Sequence, residues 1–423
     1  MTVDLLIENA DRIYTCRGPA PRAGDAQGDA GAIDHASIAA RDGRIIAVGP
    51  AADVRSTIRV SSATVIIDGA RSTIVPGFVD AHTHLVFAGD RRDELRRRLA
   101  GAAYAQIAAD GGGIVKTVRA TRDATEQQLV EAALPRLGAM LACGTTTAEV
   151  KSGYGLTVAS ELRMLRAIRT LSTLQPIEIS PTFMGAHEIP VEFRDRRAEY
   201  VRVVIDEMIP AVAAEGLAEW CDVFCEQGVF TPDETREIVV AGRRHGLKPR
   251  IHADELALSG GSQVAADVGA RSADHLIFVD EAHARRLAGA GVVATLLPAA
   301  AFYLKLGRFA PARLLIDCAV PVALASDVNP GGGFSPSMPF AMTLACFAMN
   351  MTLEESLVAA TLNAAASLDR ADRVGSLEIG KQMDAVIIDG TLSDIIRIGA
   401  PVIRSVVKKG RVASANALPD RYR

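Results

Sequence analysis

The sequence predicts an α/β fold: a (β/α)8 TIM-like barrel with a small β-sandwich domain built from both chain ends. Three observations carry this expectation. Eight short apolar runs alternate with helical stretches between about Ile74 and Asn329, as parallel strands with crossover helices require. Strand-and-turn texture is confined to the two ends. An apolar fraction of 49% with only 4% aromatics gives a core of Ala, Val, Leu and Ile, the filling of parallel strands and packed helices. The expected division is residues 1–70 with 375–423 for the sandwich and 71–374 for the barrel.

At the start, DLLIENADRIYT and ASIAARDGRIIAVG read as short strands joined by turns. The Gly/Ala/Asp-rich stretch from Arg17 to Asp34 between them reads as a flexible loop that stays clear of the barrel mouth. The eight barrel runs follow: VPGFVDAHTH, GTTTAEV, EISPTFM, CDVFCE, LKPRIHAD, SADHLIF, GVVATLLP and PVALASD. Eight is the number that closes such a barrel. Helix starts are marked by capping boxes at Thr125 with Gln128, Thr231 with Glu234 and Thr352 with Glu355, and Gly246 is the expected stop of the helix begun at Pro232. The connection from Leu85 to Cys143 exceeds a plain crossover. Its GGGIVKTVRATR fits neither a phosphate-binding loop nor a dinucleotide fingerprint, and reads as a mobile substrate-covering loop. GSLEIGKQMDAVIIDG and PVIRSVVKKGRVA return to strand-and-turn texture at the end.

Charge and cysteine usage exclude several function classes. A net charge of -4 with dispersed signs offers no basic stripe for nucleic acid, and no apolar run is long enough to cross a bilayer. Six cysteines with no paired spacing beyond Cys221 and Cys225, and no apolar signal segment, point to the cytoplasm. The expected partner is a small molecule. Cys221 and Cys225 lack further ligands at zinc spacing and read as buried thiols.

Of eight histidines, His82, His84, His187, His252 and His275 fall at or just beyond the C-terminal end of a proposed strand. That rim is where barrel active sites form. In DAHTH the two imidazoles are two residues apart and share a face of a strand. With His252 and Asp327 they make a nitrogen and oxygen set suited to a metal ion that also binds water. Glu255, three residues after His252, sits beside such a metal without ligating it, where a proton shuttle belongs; a helix-terminal acid is its plainer reading. His275 in SADHL faces the mouth, able to orient the attacking water or polarise a carbonyl. Glu255, His275 and Asp327 are therefore the expected catalytic set, and His35, His245 and His283 are assigned to structural or surface roles.

The chain resembles the imidazolonepropionase family of amidohydrolases over most of its length. The resemblance rests on PGFVDAHTHLVFAGDR, GGGIVKTV, GTTTAEVKSGYGL, TFMGAH, FCEQGVF, IHADE, SADHL, LLPAAAFYL and SDVNPG, in that order. It implies a homodimer that hydrolyses the cyclic amide of 4-imidazolone-5-propanoate to N-formimino-L-glutamate with a metal-activated water. It implies one zinc or iron ion per subunit, and the lack of a lysine beside Cys225 and Glu226 agrees with a single metal, since binuclear relatives carry a carboxylated lysine at that strand end. It further implies that Arg91, Tyr154, His187 and Glu255 contact the substrate, with Asn329 and Gly331 holding the product side. Arg91 also suits a propanoate tail, because a guanidinium meets a carboxylate in a charge-assisted fork. One departure is plain: the family usually presents Ser or Thr after NPG, where this chain has Gly332, leaving a backbone N–H or Ser335 to make that contact. A deaminase acting on a purine or pyrimidine ring shares the metal set, and Arg91, Tyr154 and His187 distinguish the two. A metal-free barrel scaffold is the rival outside enzymes.

Overall fold

The computed structural model of the chain describes residues 1–102, 106 and 111–415. The stretches 103–105 and 107–110 of the long connection, and 416–423 of the end expected in the sandwich, lie outside the described residues.

Five strands open the chain: β1 (Leu5–Tyr14), β2 (Ala32–Arg41), β3 (Arg44–Pro50), β4 (Val65–Asp68) and β5 (Ser72–Pro76). Eight barrel strands follow: β6 (Phe78–Asp80), β7 (Thr145–Lys151), β8 (Glu178–Ala186), β9 (Trp220–Cys225), β10 (Lys248–Ala253), β11 (Ser272–His275), β12 (Val293–Leu296) and β13 (Val322–Leu324). The last three are β14 (Ala385–Asp389), β15 (Ile403–Lys408) and β16 (Arg411–Ala415). The end strands pair in the order β16-β15-β14-β5-β1-β2-β3 with β4 beside β1, which knits the two chain ends into the β-sandwich expected from their texture. Its core is free of aromatics and mostly aliphatic, including Leu5, Ile7, Ile38, Ile74, Ile387 and Val407 with Met383.

The barrel strands run in chain order from β6 to β13, each parallel to the next. Each of the eight apolar runs supplies one strand. At the seam, β6 and β13 meet beyond their strand ends, through Asp327 N–H to the His82 carbonyl at 3.1 Å and His84 N–H to the Val328 carbonyl at 2.8 Å. The seam thus brings the residues after β6 and those after β13 into register, which matters for the site.

All three capping boxes form with both hydrogen bonds present, and the Pro232–Arg244 helix stops before Gly246 in a left-handed conformation. Two expectations need correction. The Arg17 to Asp34 stretch is not a free loop: it contains a 3-10 turn at Gly24–Gly28, and its end joins β2. Gln27 is fully buried, its Nε2 donating to the Val322 carbonyl at 3.2 Å and its Oε1 accepting from Val322 N–H at 3.0 Å. Asn363 grips the Arg22 backbone in the same way, with both bonds at 2.8 Å. The physical reason lies at the seam, where the start of β13 has no ladder partner on that side and a side-chain amide satisfies its backbone instead. Likewise, much of GGGIVKTVRATR is the helix Ile114–Asp123 rather than a loop.

Candidate metal centre and active site

Three imidazoles converge above the barrel. His82 and His84 leave the end of β6, and His252 leaves β10. His82 Nε2 lies 3.3 Å from His84 Nε2, which lies 3.2 Å from His252 Nε2. The Oδ1 of Asp327 is 3.9 Å from the Nε2 atoms of both His82 and His84. A tetrahedral ion with bonds of about 2.0–2.1 Å needs donor atoms roughly 3.3–3.4 Å apart, close to this spacing.

The histidines are held to present Nε2. His82 Nδ1 meets Asp274 Oδ2 at 2.7 Å and His252 Nδ1 meets Asp222 Oδ1 at 3.1 Å. With the proton on Nδ1 given to a carboxylate, the Nε2 lone pair faces the centre. Asp327 Oδ1, buried, accepts no hydrogen bond among the described residues. Burial first, and then Lys151 for His82 and the crowded imidazoles of His187 and His252 for His84, hold both well below the usual imidazole range, toward the neutral form a ligand must take. Converging lone pairs beside an unpartnered carboxylate oxygen are unfavourable alone and favourable around a cation. The donor set fits one metal ion.

Backbone strain accompanies this arrangement. Asp327 and His275 hold left-handed φ values of 53° and 77°. Such conformations cost about 1–3 kcal/mol each away from glycine and persist where surrounding contacts over-determine them. Here Asn329 Nδ2 donates to the Asp327 carbonyl at 2.9 Å, and Asp327 N–H is fixed to His82.

Glu255 and His275 stand beside the cage, with His275 Nδ1 and Glu255 Oε1 3.5 Å apart. Burial, then Asp327 and Glu226, push the Glu255 carboxyl up to about 8. Glu226 also accepts from Leu256 N–H at 2.8 Å, fixing the turn that carries Glu255. His275 is depressed well below the usual value, chiefly by burial.

These groups face one cavity of about 670 Å3, lined by Arg91, Tyr154, His187, Asn329, Gly331 and Gly332 as well as His84, His252, Glu255, His275 and Asp327. The site residues expected from sequence are therefore gathered in one place, His82 lying just behind the lining. His187 stacks on His84 with centroids 4.8 Å apart, and Tyr154 packs on His187 at 5.2 Å. Burial lowers His187 to about 3, and its Nδ1 meets the Gly153 carbonyl at 3.0 Å.

Arg91 precedes the helix Arg92–Leu99 and is buried, not a solvated helix start. Its Nε and Nη2 both donate to Glu94 Oε2 at 2.9 Å, and Glu94 Oε1 accepts from Gly113 N–H at 2.9 Å. Gly331 leaves room for the Arg91 guanidinium, since an added Cβ would sit 2.3 Å from Arg91 Nη1 and push it aside. Gly332 donates its N–H to Asn329 Oδ1 at 2.6 Å, and a Cβ there would press on Leu304 at 3.0 Å. Ser335 Oγ accepts from Ser337 N–H at 3.3 Å and is absent from the cavity lining. Gly332 therefore leaves an apolar wall of Leu304 in place of a hydroxyl.

Sequence reasoning missed the charged layer under the cage: Glu149, Lys151, Asp222, Arg250 and Asp274, all fully buried. The signal was present. Charged residues inside TTTAEVK, CDVF, PRIH and SADH fall within short runs read as buried barrel strands, and full burial of such groups requires partners.

Comparison with known proteins agrees with this geometry. The sequence pattern of the amidohydrolase family matches residues 73–413. The imidazolonepropionase of Symbiobacterium thermophilum is 48% identical over 97% of this chain and 97% of that protein. That of Geobacillus kaustophilus is 45% identical over 96% and 97%. Among solved structures, an adenosine deaminase from Xanthomonas campestris with bound zinc superimposes with a TM-score of 0.71 at 19% identity, covering 97% of this chain and 93% of that one. E. coli guanine deaminase gives 0.72 at 16%, covering 97% and 99%. At those identities the structural likeness speaks for the fold alone.

Proposed function

The chain belongs to the imidazolonepropionase family of amidohydrolases, and on that premise we infer that it hydrolyses 4-imidazolone-5-propanoate to N-formimino-L-glutamate, opening a cyclic amide in histidine degradation. The observation that carries this reading is the single cavity that gathers a four-donor metal cage, Glu255 and a buried arginine.

His82, His84, His252 and Asp327 would hold one ion, zinc or iron, which when bound supplies Lewis acidity and makes a water acidic enough to attack at neutral pH. Glu255 exchanges the protons: its raised carboxyl can take one from the attacking water and return it to the ring nitrogen that leaves. His275 donates a hydrogen bond to the oxygen on which charge develops. Arg91 meets the propanoate carboxylate, its guanidinium held flat by Glu94 and Gly331. Tyr154 and His187 form the aromatic wall against the ring, and Asn329, Gly331 and Gly332 line the same cavity.

The division expected at residue 70 shifts to Pro76, because β5 pairs with β1 and β14 in the end sheet; residues 77–374 are taken as the catalytic unit and 1–76 with 375–423 as the domain that ties the chain ends together. A homodimer is part of the reading by family. So is a cytoplasmic setting, supported by six thiols that are all free. No helix among the described residues is long and apolar enough to cross a membrane.

The test is product identification with purified, metal-replete protein given imidazolone propanoate beside a panel of aminopurines and aminopyrimidines. Formimino-glutamate from the first alone is the expected result. Ammonia released from a ring amine, with no opening of the imidazolone, would move the assignment to a deaminase.

A further inference from the structure

Beneath the cage, the charged layer of the barrel has a specific wiring. Lys151 Nζ donates to Glu149 Oε1 and to Asp222 Oδ2, each at 2.7 Å, and lies 3.9 Å from Asp274 Oδ2. Asp222 turns its other oxygen, Oδ1, to His252, accepting from Nδ1 at 3.1 Å and from the backbone N–H at 3.2 Å. Asp274 Oδ2 accepts from His82 Nδ1 at 2.7 Å, while its Oδ1 accepts from Ser272 Oγ at 2.6 Å. His82, Asp222 and Asp274 lie close enough together to hold a cation of their own. The ammonium of Lys151 is the positive group between the two carboxylates.

We propose that Lys151 is a positioning residue for the metal centre: its ammonium acts as a built-in cation that fixes Asp222 and Asp274, and through them aims Nε2 of His252 and His82 into the cage. The argument is geometric. Each aspartate that orients a metal-facing histidine is within 3.9 Å of the same nitrogen, and that nitrogen comes from β7, a strand paired with neither β9 nor β11, whose own rim carries no ligand of the cage. Although burial works against its charge, Asp222 and then Glu149 hold Lys151 above the usual lysine value, so the ammonium stays charged in a dry place. Arg250 Nη2 reaches Asp274 at 3.3 Å and the Ala81 carbonyl at 2.9 Å, but among the described residues Arg250 makes no hydrogen bond to Asp222, so it cannot replace Lys151 on the His252 side. Without the ammonium, Asp222 is a buried carboxylate with no cation on it and Asp274 keeps only Arg250, so the hold on both histidines loosens, most on the His252 side.

The proposal rests on the metal reading above, and its test is read in binding rather than turnover. Metal-stripped full-length protein is titrated with Zn2+ against a chelator, and the Co2+ form is followed by its visible absorption. Lys151→Met is expected to bind Zn2+ about 10–100-fold more weakly, with altered Co2+ bands and unchanged circular dichroism. The double variant Glu149→Gln with Lys151→Met removes one buried acid along with the lysine, restoring the charge count without restoring a donor to Asp222. It should regain the parent melting temperature and keep the weak metal binding. Zn2+ affinity within two-fold of the parent in Lys151→Met, or full recovery of affinity in the double variant, would overturn the proposal. If Lys151→Met does not fold, the double variant decides alone, weak binding supporting the proposal and parent-like binding ending it. Failure of the parent itself to take up Zn2+ would sink the metal reading, and the proposal with it.

Discussion

The two sheets of this protein enclose interiors of opposite character. The sheet of the chain ends closes on an apolar core that includes Leu5, Ile7, Ile38, Ile74, Ile387 and Val407, and its buried Lys408 pairs with Asp384 at 2.7 Å and orients no metal-facing residue. The barrel, just below its mouth, encloses Glu149, Lys151, Asp222, Arg250 and Asp274. Both interiors are equally dry, so the difference is one of purpose. Aliphatic burial stabilises at about 25 cal/mol per Å2 and asks for no particular orientation. Buried ion pairs give back most of their attraction as desolvation cost, yet they fix atoms in place. The end sheet is built to hold the chain together, and the barrel interior to aim side chains.

Substitutions in the two regions should therefore fail in different ways. The largest effect belongs to Glu255→Gln, which keeps metal and fold but loses acid-base catalysis, lowering kcat by about 10^2 to 10^4. Metal analysis beside steady-state kinetics checks it, and a kcat within a few-fold of the parent would return Glu255 to a structural role. The pH profile sharpens the same point. A carboxyl pushed up to about 8 must lose its proton before it can accept one, so the acidic limb of kcat/KM should lie well above the ordinary carboxylate range and activity should fall as pH drops through it. A limb near pH 4 would mean that Glu255 is not the base.

Arg91→Ala comes next. Loss of a charge-assisted contact of about 1.5–3 kcal/mol lowers kcat/KM by roughly 10- to 150-fold, and Arg91→Lys should recover part of it. A substrate analogue ending in a neutral amide should be equally poor for parent and Ala variant. Additive losses would show that Arg91 does not meet the carboxylate. The smallest effect is expected in the end sheet, where Ile38→Val should lower the unfolding free energy by about 0.5–1.5 kcal/mol and leave kcat unchanged. A change in kcat there would break the contrast between the two interiors.

Much of the fold was legible because its signals are local. A capping box spans four residues, and Thr125, Thr231 and Thr352 form theirs where the pattern placed them. The eight strands were visible as apolar runs between helical stretches. The cage was legible in part for the same reason: His82 and His84 are two positions apart just beyond β6, and His252 and Asp327 stand at the ends of other runs of the barrel. The Arg17 to Asp34 stretch was misread because its composition says loop while its anchor, Val322, lies 295 residues from Gln27.

By itself the sequence determined a barrel with a rim of histidines, a shuttle acid near His252 and an arginine in the long first connection. Only the tertiary structure decided what stands behind them. Asp274 is 192 residues from His82, Asp222 is 30 from His252 and Lys151 is 71 from Asp222. No propensity or periodicity joins such pairs, since a charged residue in an apolar strand is a cost until its partner arrives. That partner arrives only when parallel strands fall into register around a closed barrel, at which point the same charges set the direction of each metal-facing nitrogen.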